Sequence, residues 1–391
     1  MEQLEATAVD WLAFCLLALE FPLTYVSHYH ANSFRSLNNV AVAIFTFFLG
    51  RLLLRTPKHM LFVLSILSLG GLHIATLSLY QFAKSVRRLS EVGLADLVAL
   101  RAQIVAPIHG WPPGEGFTVL LLFLPIACAP AAFLWRFGRG ALAGIALLCP
   151  TVILAALLLL FSRAIFGATV LFFLSAGVFM IAYRVVSRKA GAILVCSSLG
   201  CLLLVLLCES AWYPCIRSAY VGHHTSQVRS REGRLEIWHR SLALVREHPI
   251  AGVGASNAGL FLLSSSNAGD TTGFASRAFS LPIQLLVEQG FSGFVLFGVL
   301  LIAAALEFHR TMRTGTIDSS ELDRRRKRKA KQILIADRRM AAHKAMKCCF
   351  AAGIVAGLFR ELTYSSLLEH TLTLVMMFAL IALACGEVSS V

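Results

Sequence analysis

Seven arginines and no lysine occupy residues 209–280: Arg217, Arg229, Arg231, Arg234, Arg240, Arg246 and Arg277. An eighth, Arg163, interrupts an apolar run at Phe161-Ser162-Arg163. Arginine presents a planar, permanently charged fork that can hold phosphate oxygens in pairs, where lysine offers a point charge with a more labile proton. A cavity lined by such forks suits a diphosphate. The competing reading pairs these cations with Glu232, Glu236, Glu247 and Asp270, or sets them at lipid headgroups; Glu236 and Arg240, four apart on one helix, are expected to pair. Arg163 and Arg234 stand out, because Arg163 breaks an apolar run and Arg234 opens a helix that faces the membrane. With Arg231 and Arg277 they form the candidate phosphate-binding set.

The elements that must position these residues can be read around them. Leu235, Trp238, Leu242 and Val245 recur at helical spacing while Arg231, Glu232, Arg240 and Glu247 lie off that stripe, which predicts an amphipathic helix. His248-Pro249 ends it. Gly252, Gly254 and Asn257 then supply a tight turn, since glycine backbone reaches conformations closed to residues with a Cβ.

Composition sets the class. With 57% hydrophobic and 14% charged residues and a mean hydropathy of +0.74, the 391-residue chain carries more apolar surface than one soluble core needs. An all-α, polytopic helical membrane protein is expected. Ten runs are long enough to cross a bilayer, near 8–27, 39–55, 59–83, 116–135, 140–161, 164–183, 190–208, 281–306, 347–366 and 370–387. The chain thus divides into an N-terminal region of seven spans (1–208), one large external loop (209–280) and a C-terminal region of three spans (281–391). Glu2, Glu5 and Asp10 stand where a cleaved leader would be basic, so the first run is expected to remain.

Orientation follows from the short basic loops. Arg51, Arg55 and Lys58, then Arg136 and Arg139, then Arg184, Arg188 and Lys189 fall on one side, which is expected to be cytoplasmic together with both termini. The loop 307–347 carries thirteen Lys/Arg against five Asp/Glu, most of the formal +14, and falls on the same side. Its run Arg324–Lys331 is read as a topology determinant touching anionic membrane lipid; no aromatic platform accompanies it, which argues against nucleic acid. The loop 84–115 contains an amphipathic stretch suited to the interface, with Leu89, Leu97, Leu100 and Ile104 on one face. Ten cysteines, including Cys15, Cys128, Cys149, Cys196, Cys201 and Cys385 inside apolar runs, form no Cys-x-x-Cys pattern and read as small hydrophobes, with no metal implied. Cys208 and Cys215 could pair in an oxidising compartment.

The Gly-Arg-x-x-Ile-Trp run at Gly233–Trp238, followed by His-Pro-Ile-x-Gly-Val-Gly at His248–Gly254, resembles the signature of the O-antigen ligase and O-antigen polymerase superfamily. Ser162-Arg163 at the end of a span and a large external loop before a late span are similar features. The resemblance covers roughly Phe161 to Leu306. It implies a GT-C-like glycosyltransferase of the bacterial inner membrane that takes a glycan from an undecaprenyl diphosphate carrier at the periplasmic face, without metal, nucleotide sugar or other cofactor. For ligases the acceptor is the lipid A core; for polymerases it is another lipid-linked glycan.

Ligases of this family share a His-[Asn/Ser/Gln] pair, nine residues, then Gly-x-x-Gly. Here Ser280 is followed by nine residues and Gly290-Phe-Ser-Gly293, and the histidine position is Phe279. That histidine would be the base for the acceptor hydroxyl, a task for an imidazole and not for a phenyl ring. His223, His224 and Glu288 are the candidate replacements. Each also has a plainer reading, as solvated loop histidines and as a helix-to-helix polar contact; Arg360 and Glu361 in the ninth run raise the same question. A transporter of lipid-linked glycan would show internal repeats and matching broken spans, which the sequence lacks. A non-catalytic family member is the alternative that Phe279 raises.

Overall fold

The computed structural model describes residues 6–27, 29–53, 57–92, 115–158, 163–187, 189, 192, 195, 196, 200, 224–264, 280–313, 319–363 and 371–385. Among the described residues the regular elements are all helices: α1 (Ala8–Val26), α2 (His30–Leu53), α3 (Pro57–Val92), α4 (Glu115–Arg136), α5 (Gly140–Ala146), α6 (Leu148–Leu158), α7 (Arg163–Ala182), α8 (His224–Glu247), α9 (Ala258–Ser264), α10 (Leu281–Arg313), α11 (Ser319–Thr363) and α12 (Thr371–Cys385). Among the described residues, six stretches are long and apolar enough to cross a membrane: Ala8–Val26, His59–Gln81, Thr118–Arg136, Gly140–Leu157, Ala164–Ala182 and Leu281–Arg313. The chain is therefore an all-α polytopic membrane protein.

The remaining expected spans take other forms. The run 39–55 is the C-terminal part of α2, whose polar first turns lower the helix's apolar character. The run 347–366 falls mostly on the end of the 45-residue α11, and the run 370–387 on a shorter apolar helix over Thr373–Cys385. Most of 190–208 lies outside the described residues, as does the interfacial stretch beyond residue 92. The basic segment 307–347, expected as a loop, is helical at both ends, since α10 continues to Arg313 and α11 begins at Ser319. Glu, Lys and Arg are good helix formers, and a span can extend past the bilayer as one rod.

Two compact units divide the chain. One comprises Met1–Leu49, Pro214–Leu306 and Leu358–Ala379; the other comprises Gly50–Tyr213, Glu307–Gly357 and Leu380–Val391. The second unit is organised around α4, which packs on α3, α5, α6 and α7. Leu120, Leu121, Leu122, Leu124, Ile126 and Ala127 are all buried, as expected of a helix apolar all round. Small residues bring its neighbours close: a Cβ on Gly71 of α3 would stand 3.0 Å from the Phe123 ring, and one on Gly353 of α11 would stand 2.5 Å from Pro125. Pro130 cannot donate to the Ile126 carbonyl one turn back, and the Ser68 hydroxyl of α3 lies 3.4 Å from that oxygen.

The first unit is organised around a break in α10. At Gly290 the backbone takes φ 64° and ψ −164°, a region essentially restricted to glycine. In an unbroken helix Phe291 N–H would donate to the Val287 carbonyl and Ser292 N–H to that of Glu288. The loop that follows α8 fills both vacancies from both sides. Val253 N–H donates to Val287 O (2.8 Å) and Gly254 N–H to Glu288 O (3.0 Å), while Phe291 N–H donates to Pro249 O (2.8 Å) and Ser292 N–H to Ile250 O (3.3 Å). The Ser292 hydroxyl adds a bond to Ile250 O at 2.8 Å. The loop can approach this closely because Gly252 also has positive φ, 67°, and a Cβ there would stand 2.5 Å from Val287 O. Beneath it, Val245, Val253, Ala258 and Val287 form one apolar cluster, flanked by Leu244, Phe261, Ile283 and Leu286.

An alanine at position 290 would place its Cβ on the Ile250 carbonyl and take a backbone region closed to it. Gly290→Ala is expected to lower stability by about 1–3 kcal/mol from backbone strain alone. Gly298→Ala, eight residues on, meets nothing within 4 Å and is expected to be neutral or slightly stabilising. Thermal unfolding of the two variants in the same detergent checks this; equal melting temperatures would refute the role given to Gly290.

Candidate functional site

The docked loop carries the residues singled out by sequence. α8 ends at Glu247, and His248 N–H still donates to Leu244 O (2.9 Å) while His248 O accepts from Gly252 N–H (3.1 Å), so the His-Pro pair closes the helix into the turn. The structure brings the loop from His248 to Gly254 together with Glu288 and the break at Gly290, two groups more than thirty residues apart, through the bonds just described. Gly293 packs against the Gln289 side chain one turn back. Ser280 is buried at the head of α10, its carbonyl accepting from Gln284 N–H at 2.8 Å.

Below the loop lies a buried polar assembly within the same unit. Asn257 is fully buried, and its Nδ2 donates to Ser27 Oγ (2.6 Å) with Ser33 Oγ and Val253 O each at 3.2 Å. Ser33 Oγ lies 2.7 Å from Ser27 Oγ and 3.0 Å from Ala255 O. The loop is thereby tied to the turn between α1 and α2. Gln289, beside the break, donates through Nε2 to Glu20 Oε1 of α1, and Gln284 donates to Glu288 Oε1. Glu20, Glu288, Gln289, Arg360 and Glu361 are all buried. Burying an ionisable group this deeply is costly unless its charge is neutralised or compensated, and the Gln289 and Gln284 amides supply such compensation to Glu20 and Glu288.

Other expected site residues are placed less fully. Arg163 is the first residue of α7 and α6 is described as far as Leu158, while Phe161 and Ser162, where the apolar run was expected to divide, lie outside the described residues. His224 begins α8, and Arg231, Gly233 and Arg234 lie on its N-terminal half. Arg163 belongs to one compact unit and Arg234 to the other. His223, Arg277 and Phe279 lie outside the described residues. On α8 the Glu236–Arg240 ion pair forms on the surface as expected. The apolar stripe is rotated from its expected line: Trp238 is half-buried, Leu235 and Leu242 are exposed, and the buried positions are Ser241 and Val245. The Val245–Val253–Val287 cluster sets that rotation by anchoring the end of the helix.

The sequence reading passed over Glu20, Ser27, Ser33 and Gln289. Glu20 gave a signal, being a carboxylate inside an apolar run. Ser27 and Ser33 gave none, since two serines near a turn are ordinary until Asn257 is brought to them. Among the described residues, no three His, Cys, Asp or Glu side chains gather in a way that could hold a metal ion.

Residues 121–298 match the family model described as O-Antigen ligase. No curated protein matches the chain. The matched stretch starts within α4 and ends in α10 just beyond Gly290 and Gly293, taking in Arg163, α8 and the docked loop. Through these residues, this all-α membrane protein is similar to the O-antigen ligase family over the matched stretch.

Proposed function

We propose that the chain is an O-antigen ligase-like transferase. It moves a glycan from an undecaprenyl diphosphate carrier to a lipid A core or another glycan acceptor at the periplasmic face of the bacterial inner membrane. The observation that carries this reading is the junction of the His-Pro-Ile-x-Gly-Val-Gly loop with the Gly-x-x-Gly break inside the family-matched stretch. A helix interrupted within the membrane is tolerated only where its freed backbone groups find protein partners, and such interruptions are a means of holding polar chemistry at membrane depth. In this reading Arg163, Arg231, Arg234 and Arg277 hold the diphosphate, whose departure needs its charge held more than it needs an acid. No metal or nucleotide sugar takes part.

Phe279 at the family's histidine position favours a second reading, a member that binds lipid-linked glycan without transferring it. Polymerisation differs from ligation only in the acceptor and uses the same donor site.

Removing one forked donor from a charge-stabilising site typically costs on the order of 2.7–4 kcal/mol. Arg163→Ala and Arg234→Ala are each expected to lower transfer by about 100- to 1,000-fold, with lysine restoring only part of it. Near-normal transfer by both alanine variants at normal protein levels would remove them from the mechanism.

The proposed orientation predicts opposite labelling at two serines. In a background without other reactive thiols, Ser265→Cys is expected to react with an impermeant thiol reagent in intact cells and Ser319→Cys only after the membrane is opened. The reverse pattern would move the proposed site to the other face.

A further inference from the structure

The transfer proposed above requires something to take the acceptor's proton. Phe279 cannot do so. Glu288 is 1% exposed, its Oε1 accepts from Gln284 and its carbonyl from Gly254, so an acceptor hydroxyl would have to enter the packed interior to reach it. One histidine stands elsewhere in this unit with the geometry of a base.

A groove of about 560 Å³ opens between α1 and α2, lined by Phe21, Thr24, Tyr25, His30, Phe34 and Leu37. His30 Nδ1 lies 3.1 Å from the backbone carbonyl of Thr24. A carbonyl oxygen can only accept, so Nδ1 carries the hydrogen and the neutral ring presents its lone pair at Nε2. This is the tautomer a general base needs, fixed by the fold as a backbone carbonyl commonly fixes it. Phe21, Tyr25 and Phe34 are exposed, at 58%, 84% and 66%, and offer flat apolar faces against which the apolar face of a sugar ring can lie.

The groove is also bolted to the family's loop. Ser27 Oγ accepts from Tyr29 N–H (3.2 Å) and from Asn257 Nδ2 (2.6 Å), fixing the turn immediately before His30. The Tyr29 ring meets Phe261 edge-on, with centroids 6.0 Å apart. Gln289, next to the helix break, holds Glu20 on the helix that forms the opposite wall. The α1–α2 turn and the loop after α8 therefore share one end of this unit.

Resting on the transferase reading, we propose that His30 is the general base for the acceptor and that the aromatic groove it lines receives the acceptor sugar. His30 Nε2 takes the proton from the acceptor hydroxyl as that oxygen bonds to the anomeric carbon of the donor glycan. The bond from that carbon to the diphosphate oxygen breaks, and its electron pair leaves with undecaprenyl diphosphate. The imidazolium then returns its proton to water.

The test uses the full-length chain reconstituted in liposomes made from its host's total envelope lipid extract, which carries donor and acceptor together. His30→Asn keeps an N–H donor for the Thr24 carbonyl and a residue suited to a helix start, but has no base. It is expected to transfer at least about 100-fold more slowly than wild type, with unchanged folded protein recovered by gel filtration. His30→Ala is expected to lose as much and to regain part of the rate when imidazole is added. Rates within about threefold of wild type in both variants, or a loss that imidazole does not restore, would overturn the role of His30 while leaving the transferase reading intact. No transfer by the wild-type chain would overturn the transferase reading, and the role of His30 would fall with it.

Discussion

A backbone group freed inside a membrane has no water to turn to, and that constraint shapes the unit around Gly290. Breaking α10 there releases two donors and two acceptors, each of which would cost several kcal/mol if left in hydrocarbon. The loop from Pro249 to Gly254 supplies a partner to every one of them. Neither piece is stable in this form alone: the break needs the loop to satisfy it, and the loop needs the break to dock against. Glycines at 252 and 290 are what make the contact sterically possible, because a Cβ at either position would meet the other segment's backbone.

The polar side chains around the junction extend this logic. Asn257 fastens the loop to Ser27 and Ser33, and Gln289 fastens the broken helix to Glu20, so α1 and the start of α2 are held to the same point from two directions. Buried hydrogen bonds of this kind contribute modestly when made and cost about 1–3 kcal/mol each when one partner is lost. The effect is geometric more than energetic. It fixes the turn before His30, and with it one end of the groove, against the loop that follows α8.

Much of this was legible in the sequence, for identifiable reasons. Hydropathy gave the class, because a 20-residue apolar run has few alternatives to a span. The His-Pro pair marked the end of α8, since it rests on a local rule about proline. The Gly-x-x-Gly frame was visible only as a spacing. That its first glycine breaks the helix, and that the broken bonds are remade by residues 249–254, depends on a tertiary partner no window of sequence contains. The stripe on α8 had the right period but the wrong rotation, because Leu242 and Ser241 differ by one position and only the cluster at Val245 decides between them. Glu20 lies within the first expected span and His30 beyond its end, and the partners that give them meaning, Gln289 and the Thr24 carbonyl at the groove, are set by tertiary packing.

The docking of the loop into the break is most directly measured by amide hydrogen exchange on the purified chain in detergent. The amides of Val253 and Gly254 are held by carbonyls of α10, so they are expected to exchange as slowly as those of the flanking helix. Phe291 and Ser292, held by the loop, are expected to be protected with them. Fast exchange at Val253 and Gly254 beside a protected α10 would contradict the account, since the loop would then be free and the broken helix would have to satisfy itself by other means.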